Sequence, residues 1–257
     1  MPRRLDADLA VYCDDLSVAR GGVRVVDGVS FRLSPARALA VMGATGSGKS
    51  TLAALLASGH QGESEALSVV GGDARVVGIP VRKKGRQGRV RAYHTGYLAQ
   101  RAGAVLPARM TVGEVIGEPI TRRDRRVNQR ALAIRVAGLL DEFELPLGAA
   151  ARYPYELSSG MRQRVALARA LVLQPRVFVG DDPYANLDLE VRQAARNALL
   201  RRRDEDGMAI LMVTNDADAV REIDADVLVL RAGRPVAYGH GTTDLLWTPD
   251  GGMRPVT

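Results

Sequence analysis

The sequence has few cysteines, aromatic side chains and long apolar runs, and each shortage narrows the class of protein. Its single cysteine, Cys13, excludes an internal disulfide, fits a reducing compartment and is predicted to be a small core residue. Aromatic residues make up 4% of the 257 residues, which leaves few rings on which nucleic-acid bases could stack. No apolar run is long enough to cross a bilayer, and no signal-type apolar segment follows the first residues. Together these shortages predict a cytoplasmic protein.

Positive charge, in contrast, is abundant. There are 36 Lys and Arg against 29 Asp and Glu, a net charge of +7, with basic clusters at 82–86, 122–126 and 201–203. These clusters are short and contain no aromatic side chains, which a nucleic-acid interface usually adds to its cations. We therefore expect solvated faces, or contacts with anionic lipid or a protein partner, and nucleic acid is the less favoured partner.

The spacing of apolar residues changes along the chain and predicts an α/β fold. Short β-type runs, including separate runs at 23–26 and 30–33, come first, and the glycine-rich stretch 59–88 has the composition of hairpins and loops. Helical spacing dominates the middle up to Pro175. Strands then return at 176–180, 209–213 and 227–230, around a helix near 189–203. This order predicts an α/β core with a helical insertion.

One run has the form of a phosphate-binding loop, G-x-x-x-x-G-K-[ST], and follows a predicted buried strand at 38–42. It consists of Gly43, Ala44, Thr45, Gly46, Ser47, Gly48, Lys49, Ser50 and Thr51. Glycines in such a loop let backbone N–H groups converge on phosphate oxygens, and the following helix N-terminus adds positive potential. We expect Lys49 to reach the β and γ phosphates and the Ser50 hydroxyl to ligate Mg²⁺.

A second apolar run, 177–180, ends in the carboxylate of Asp181. In a protein with a phosphate-binding loop, an acid at the end of a strand completes the Mg²⁺ site, directly or through water. The alternative is that Asp181 only caps its strand. The segment 182–188, which follows at once and ends in Asp188, favours the magnesium site.

Upstream of that strand, the chain resembles the ATP-binding cassette (ABC) family. The family's signature is L-S-G-G-Q before an arginine-containing helix, and the matching residues here are Leu157, Ser158, Ser159, Gly160 and Met161. The resemblance extends from Asp15 to about Gly241. It places Gln100 at the family's glutamine loop and Asp188 at its D-loop.

The resemblance implies a RecA-like phosphate-loop core with an antiparallel β subdomain at 1–102 and 175–257, and a helical subdomain at 103–174. Two such subunits would sandwich two ATP molecules, each site combining one chain's phosphate loop with the other's signature. Ser158 and Gly160 would face the γ-phosphate of the opposite site. The implied cofactors are ATP and Mg²⁺, and the implied metal ligands are Ser50, Gln100 and Asp181.

Two segments, 104–119 and 153–157, also resemble the branch of the family that energises oligopeptide and dipeptide uptake. This implies a peripheral subunit at the cytoplasmic face of the cell membrane. Its implied partners are transmembrane permease subunits, a second nucleotide-binding subunit and an extracytoplasmic substrate-binding protein. The helical subdomain would carry a groove for a permease helix, and closure of the sandwich would drive transport.

Four features depart from the family pattern. Asp182 replaces the catalytic Glu, and the loss of one methylene of reach can cost about a hundredfold in rate unless the backbone compensates. Asn215 replaces the switch histidine, and an amide can donate to phosphate but cannot become cationic. Arg20, either stacking or solvated, replaces the aromatic that covers adenine. Ser159 and Met161 replace signature Gly and Gln.

These departures lead to a hypothesis about the chain's own site, whose candidate catalytic residues are Asp182, Asn215 and Gln100. The chain would bind Mg-ATP but hydrolyse it slowly, as the degenerate half of a heteromeric pair. None of the chain's histidines is placed to replace the switch histidine; they are His60, His94 and His240. The alternatives are a non-transport ABC ATPase and a regulatory ATP-binding module without turnover.

Overall fold

The structure, a computed structural model, describes residues 8–57 and 67–247. A four-stranded antiparallel sheet lies on one side of the fold. Its strands are β1 (Val11–Arg20), β2 (Val23–Leu33), β4 (Leu67–Val76) and β5 (Ile79–Pro80), in the order β2-β1-β4-β5. The runs 23–26 and 30–33 belong to one strand, because a bulge at Gly28, with φ of 69°, lets pairing with β1 continue past the register shift.

The second sheet is the centre of the fold and has seven strands. They are β3 (Ala38–Gly43), β6 (Thr95–Leu98), β7 (Val177–Asp181), β8 (Ala209–Val213), β9 (Asp226–Arg231), β10 (Arg234–His240) and β11 (Asp244–Trp247). Their order is β11-β10-β9-β3-β8-β7-β6, with β10 and β11 antiparallel at one edge and the other neighbours parallel. Strands β7 and β8 are buried at every residue, as expected for parallel strands covered on both faces.

Seven α-helices lie within the described ranges. They are α1 (Lys49–Leu56), α2 (Gly85–His94), α3 (Val112–Thr121), α4 (Gln129–Glu142), α5 (Ser159–Leu171), α6 (Leu189–Asp206) and α7 (Ala217–Glu222). The predicted α/β core, antiparallel sheet and helical insertion are all present. The prediction of hairpins and loops over 59–88 was wrong at its end, because α2 begins at Gly85, and residues 59–66 lie outside the described residues.

The hydrophobic core forms two clusters on opposite faces of the central sheet. Alternation along β7 divides its side chains between them. Phe178 packs with α3, α4 and α5, whereas Val177 and Val179 pack with α1 and the antiparallel sheet. The central sheet is therefore covered by helices on one face and by α1 and the antiparallel sheet on the other. No helix in the described part of the chain is long and apolar enough to cross a bilayer.

Arginine side chains reach across to the carboxyl ends of several helices. Arg164 Nη1 donates to the carbonyl of Phe143, the C-cap of α4, at 3.2 Å. Arg135 Nε donates to the carbonyl of Val172, the C-cap of α5, at 2.6 Å. Each bond satisfies a carbonyl that has no partner within its own helix.

Candidate functional site

The carboxyl ends of four neighbouring parallel strands lie side by side along one edge of the central sheet, the edge at which these strands end. Gly43 ends β3, Asp181 ends β7, Gln100 follows β6 and Asn215 follows β8. The register pairs Asp181 with Val213, the last residue of β8. The fold therefore brings to one edge four positions that are far apart in sequence. In open parallel sheets, ligands bind beyond this edge.

The loop from Gly43 to Gly48 is built around glycine backbone conformations. Gly43 has φ of 143°, and a Cβ there would collide with the carbonyl of Leu230. Gly48 has φ of 97° and is the N-cap of α1 without any side-chain cap. The N–H groups of the first helical turn are therefore available to an anion. The backbone conformation is compatible with a bound phosphate, and phosphate binding by this loop stays a prediction.

The ammonium group of Lys49 lies against this loop. Its Nζ donates to the carbonyls of Gly43 at 2.7 Å and Ala44 at 2.9 Å, and to Ser47 Oγ at 3.4 Å. The positive charge is thus held beside the loop, next to the N-terminus of α1. A phosphate group would be a stronger acceptor than the neutral carbonyls that Lys49 now contacts.

Asn215 is hydrogen-bonded to the start of the loop. Its Oδ1 accepts from the backbone N–H of Gly43 at 3.0 Å. Because a backbone N–H can only donate, this bond fixes the orientation of the amide and leaves Nδ2 as its donor end. The proposed donor role of Asn215 is compatible with this orientation. The bond to Gly43 itself was not predicted.

Asp182 has an unusual backbone conformation directly after β7. Its φ is 49°, in the left-handed region, and its N–H donates to the carbonyl of Val213 at 2.9 Å. Asp is more often found in this region than most residues with a Cβ. Burial raises the pKa of the Asp182 carboxyl, and the charge of Lys49 partly offsets this. The neighbouring Asp181 is 2% exposed at the strand end.

The start of α5, which carries the predicted signature, contacts the segment 182–188 of the same chain. Gln163 is buried, and its Nε2 donates to the carbonyl of Pro183 at 3.2 Å. A Cβ on Gly160 would lie 3.2 Å from the carbonyl of Asn186. The signature helix and the segment after Asp182 are therefore closely packed.

Two residues predicted to contact nucleotide are helix caps in this structure. Ser158 Oγ accepts from the N–H of Met161 at 3.2 Å and caps α5. Asp188 Oδ1 accepts from the N–H of Val191 at 3.0 Å and caps α6. Contact with nucleotide on a second subunit stays a prediction for both residues.

Sequence reasoning missed a cluster beside these segments. Arg192 Nη1 lies 2.6 Å from Asp216 Oδ2, and Arg192 Nε lies 3.4 Å from Glu222 Oε2. The same guanidinium lies 5.3 Å from the ring centroid of Tyr184. Burial raises the pKa of the Tyr184 hydroxyl. Arg192 therefore joins the segment after Asp182 to the segment after β8. In the sequence, the only signal for this cluster is that Tyr184 and Asp216 lie close to the predicted motifs.

Two histidines lie at the opposite edge of the central sheet from the candidate site, where the parallel strands begin. His94 ends α2 immediately before β6, and His240 is paired with Asp226 at the start of β9. His60 lies outside the described residues. Arg20 is exposed at the end of β1, directly before the turn at Gly21 and Gly22.

Fold and site together define a phosphate-loop nucleotide-binding domain. The chain belongs to the ABC transporter family, whose model matches residues 26–185. This family consists of ABC-type ATPases that use ATP with Mg²⁺. The recognition made from the sequence motifs is confirmed.

Curated relatives include ATP-binding proteins of peptide transport. The chain is 34% identical over 221 residues to the oligopeptide transport ATP-binding protein OppD of Mycobacterium tuberculosis, covering 86% of this chain and 35% of OppD. It is 32% identical over 223 residues to the di/tripeptide transport ATP-binding protein DppF of Pseudomonas aeruginosa, covering 84% and 65% of the two chains. It is also 34% identical over 228 residues to the sulfate/thiosulfate import ATP-binding protein CysA of Bordetella pertussis, covering 88% and 60%. The chain thus spans between 35% and 65% of the length of these relatives.

Solved structures support the fold. The dimeric ATP-binding cassette MJ0796, in a post-hydrolysis state bound to ADP and Pi, has a TM-score of 0.79 at 22% identity and covers 90% of this chain and 98% of its own. The cassette cbiO1 of Clostridium perfringens has a TM-score of 0.74 at 21% identity, covering 90% and 88%. The predicted RecA-like cassette fold is confirmed.

Proposed function

We propose that the chain is the nucleotide-binding subunit of a peptide-type membrane importer, and that it binds Mg-ATP but hydrolyses it slowly at its own site. The observation that carries the proposal is the hydrogen bond between Asn215 Oδ1 and Gly43 N, 3.0 Å long. It places an uncharged amide, in place of an imidazole, against a complete phosphate-binding loop. The loop that would bind phosphate is thus retained, whereas the titratable side chain expected at position 215 is missing.

The residues present fit Mg-ATP. Ser50 in the first turn of α1 and Asp181 at the end of β7 offer hydroxyl and carboxylate oxygens, which Mg²⁺ prefers. Gln100 lies at the same sheet edge and would supply an amide oxygen. Bound Mg²⁺ would neutralise phosphate charge at this edge. Lys49 and the N-terminal N–H groups of α1 would hold the phosphate oxygens.

Slow hydrolysis follows from the two substituted positions. Asp182 keeps a carboxylate able to accept a proton from water, but its side chain is one methylene shorter than Glu. Its left-handed backbone, with φ of 49°, is also fixed by the bond to Val213. Asn215 can donate one hydrogen bond from Nδ2, but it cannot take up a proton. Competent hydrolysis would then occur at a site that combines this chain's Ser158–Met161 signature with the phosphate loop of a second, different cassette.

The transport assignment is supported by the relatives and by the exposed surface of the helical subdomain, whose proposed bounds are 103–174. Val105, Leu147 and Tyr155 are 75%, 63% and 68% exposed. Tyr153 stacks on Tyr155 with ring centroids 5.5 Å apart. These apolar side chains offer a surface for a cytoplasmic helix of a permease, at the cytoplasmic face of the membrane.

Peptide cargo is supported by OppD and DppF and by the segments 104–119 and 153–157. CysA, a sulfate/thiosulfate import protein, is equally identical at 34%. Overall identity therefore does not select the cargo class, and the two segments favour peptide. An extracytoplasmic substrate-binding protein would deliver that cargo to the permease.

The test is single-turnover ATP hydrolysis in the complex assembled with its permease and second cassette. The double variant Asp182→Glu, Asn215→His should raise turnover at this chain's site by at least tenfold, because it restores reach and a titratable ring. Lys49→Ala is the matched control and should weaken ATP binding without any gain in turnover. Unchanged turnover in the double variant, or brisk hydrolysis by the purified chain alone, would contradict slow hydrolysis at this site.

A further inference from the structure

A strongly basic surface lies on α2, the segment before it, the connection from α3 to α4 and the first turn of α4. We call it the basic face. Its exposed cations are Arg82, Lys83, Lys84, Arg86, Arg89, Arg122, Arg123, Arg125, Arg126 and Arg130. These ten cations and the exposed Asp124 in the same stretches together carry a net charge of +9. This is more than the +7 of the whole chain. The chain's excess of positive charge is therefore concentrated here.

Arg123 joins the two parts of the basic face. Its Nη2 donates to the carbonyl of Ala92 at 3.3 Å, and its guanidinium lies 5.7 Å from the ring centroid of Tyr93. Arg86, Arg89 and Tyr93 follow one another at helical spacing and share one side of α2. The cations of α2 and those after α3 consequently form a continuous surface.

The basic face also exposes apolar side chains. Val90 is 42% exposed and Tyr93 is 44% exposed on α2. Cations interspersed with an exposed aliphatic side chain and a Tyr are typical of surfaces that rest at the headgroup level of a membrane. A surface that contacts only water would gain no stability from exposing Val90 and Tyr93.

Nucleic acid is less well matched to this surface. Tyr93 is the aromatic residue among the stretches 82–93 and 122–130, and the guanidinium of Arg123 lies over its ring. The ring of His94 meets Tyr93 edge-on, with centroids 5.0 Å apart and an angle of 87° between the planes. The Tyr93 ring thus already has a guanidinium over one face and a second ring against it, which disfavours stacking with a base.

We propose that the basic face binds anionic lipid headgroups directly, at the surface of the membrane and without help from a permease. Each Lys or Arg close to an anionic membrane contributes about fivefold in binding. The face would thus hold and orient the subunit against the lipid surface. This inference does not depend on how fast the chain hydrolyses ATP.

The test is flotation of the purified full-length chain with vesicles of phosphatidylcholine alone or of phosphatidylcholine mixed with phosphatidylglycerol. We expect binding to the mixed vesicles only, and weaker binding as salt shortens the screening length below about 10 Å. The triple variant R86Q/R89Q/R125Q should bind the mixed vesicles about a hundredfold more weakly. Its ATP binding should be unchanged, which reports that the fold is intact.

A control variant removes the same charge elsewhere. R32Q/R37Q/R221Q changes exposed arginines outside the basic face and should retain vesicle binding. Equal loss in both triple variants would show that only net charge matters and would overturn the proposal. An absence of vesicle binding would also overturn it. Tight binding of duplex DNA or RNA that R86Q/R89Q/R125Q abolishes would then identify a nucleic-acid surface.

Discussion

The guanidinium of Arg192 and the carboxylate of Asp216, 2.6 Å apart, connect helix α6 to the segment that follows β8. Asn215, the neighbour of Asp216, is bonded in turn to the phosphate-binding loop at Gly43. On its other side Arg192 contacts Tyr184, two residues after Asp182. One arginine therefore supports both segments that carry the candidate catalytic residues Asp182 and Asn215.

Arg192→Ala should lower the single-turnover rate of ATP hydrolysis at this chain's own site by about tenfold while changing ATP affinity less, because the positions of Asp182 and Asn215 lose a common support. The side chains of the ion pair are 20% and 41% exposed, so the free energy of unfolding should fall by only about 1 kcal/mol or less. A cycle with Asp216→Asn should show coupling of about 1 kcal/mol in the activation free energy. Arg196→Ala, one helical turn further on, is the control, since Arg196 bonds mainly to its neighbour Asn197. An equal loss of rate in both variants would count against a positioning role.

Substitutions of Asn215 should separate its acceptor end from its donor end. Asn215→Asp keeps an acceptor for the N–H of Gly43 but adds negative charge beside the phosphate site, so the Kd for Mg-ATP should rise more than tenfold. Asn215→Ala removes both ends without adding charge, and its Kd should rise by less. Isothermal titration calorimetry measures both. The opposite order would mean that the amide donor makes no important contact with nucleotide.

Gln163 should be sensitive to the loss of its donor. It is 3% exposed, and Gln163→Leu leaves the carbonyl of Pro183 without that bond, so the free energy of unfolding should fall by about 1–3 kcal/mol. Gln163→Glu should be worse at neutral pH and should recover part of the loss on acidification, because a protonated carboxyl can donate. Urea unfolding at two pH values tests this. Gln193→Leu, an exposed position on α6, should change stability little.

His240 should make thermal stability depend on pH. Its hydrogen bond with Asp226 and the nearby charge of Asp224 raise the pKa of His240 above the usual value of about 6.5. Its contribution to stability is therefore complete below that value and is lost as pH rises through the higher pKa of the folded state. Scanning calorimetry from about pH 5 to pH 8 should show a smaller fall in Tm for His240→Asn than for the parent chain.

His94 provides a test of opposite sign. Burial, and then the charge of Arg176, lower the pKa of His94. Protonation therefore favours the unfolded chain, and stability should decline as pH falls through the usual histidine range. His94→Asn should reduce that acid-side decline. The same pH trend for both histidine variants would contradict the assignments.

Much of the fold was readable because its signals are local. The apolar run before Gly43 and the glycines of the loop specify a strand, a turn and a helix start within a few residues. Helix α2 was missed because its glycine and arginine content gives little apolar periodicity, and contacts such as Arg91 with the carbonyl of Pro80 hold it in place. Those contacts connect residues whose pairing no local pattern reveals.

The candidate site was readable only in part for the same reason. Motifs located Lys49, Asp182 and Asn215, since each follows a recognisable strand. The bond from Gly43 to Asn215 spans 172 residues, and Arg192 meets Asp216 across 24. The first contact arises from strand order, which places β3 beside β8 although they are distant in sequence, and the second from the packing of α6 beside the segment after β8.

The arginine bonds at the ends of α4 and α5 are reciprocal. Arg164 on α5 holds the end of α4, and Arg135 on α4 holds the end of α5. Neither helix can slide along the other or fray at its C-terminus without breaking a hydrogen bond between the two helices. A displacement of one helix along the other would therefore have to break both bonds, which favours movement of the two helices together.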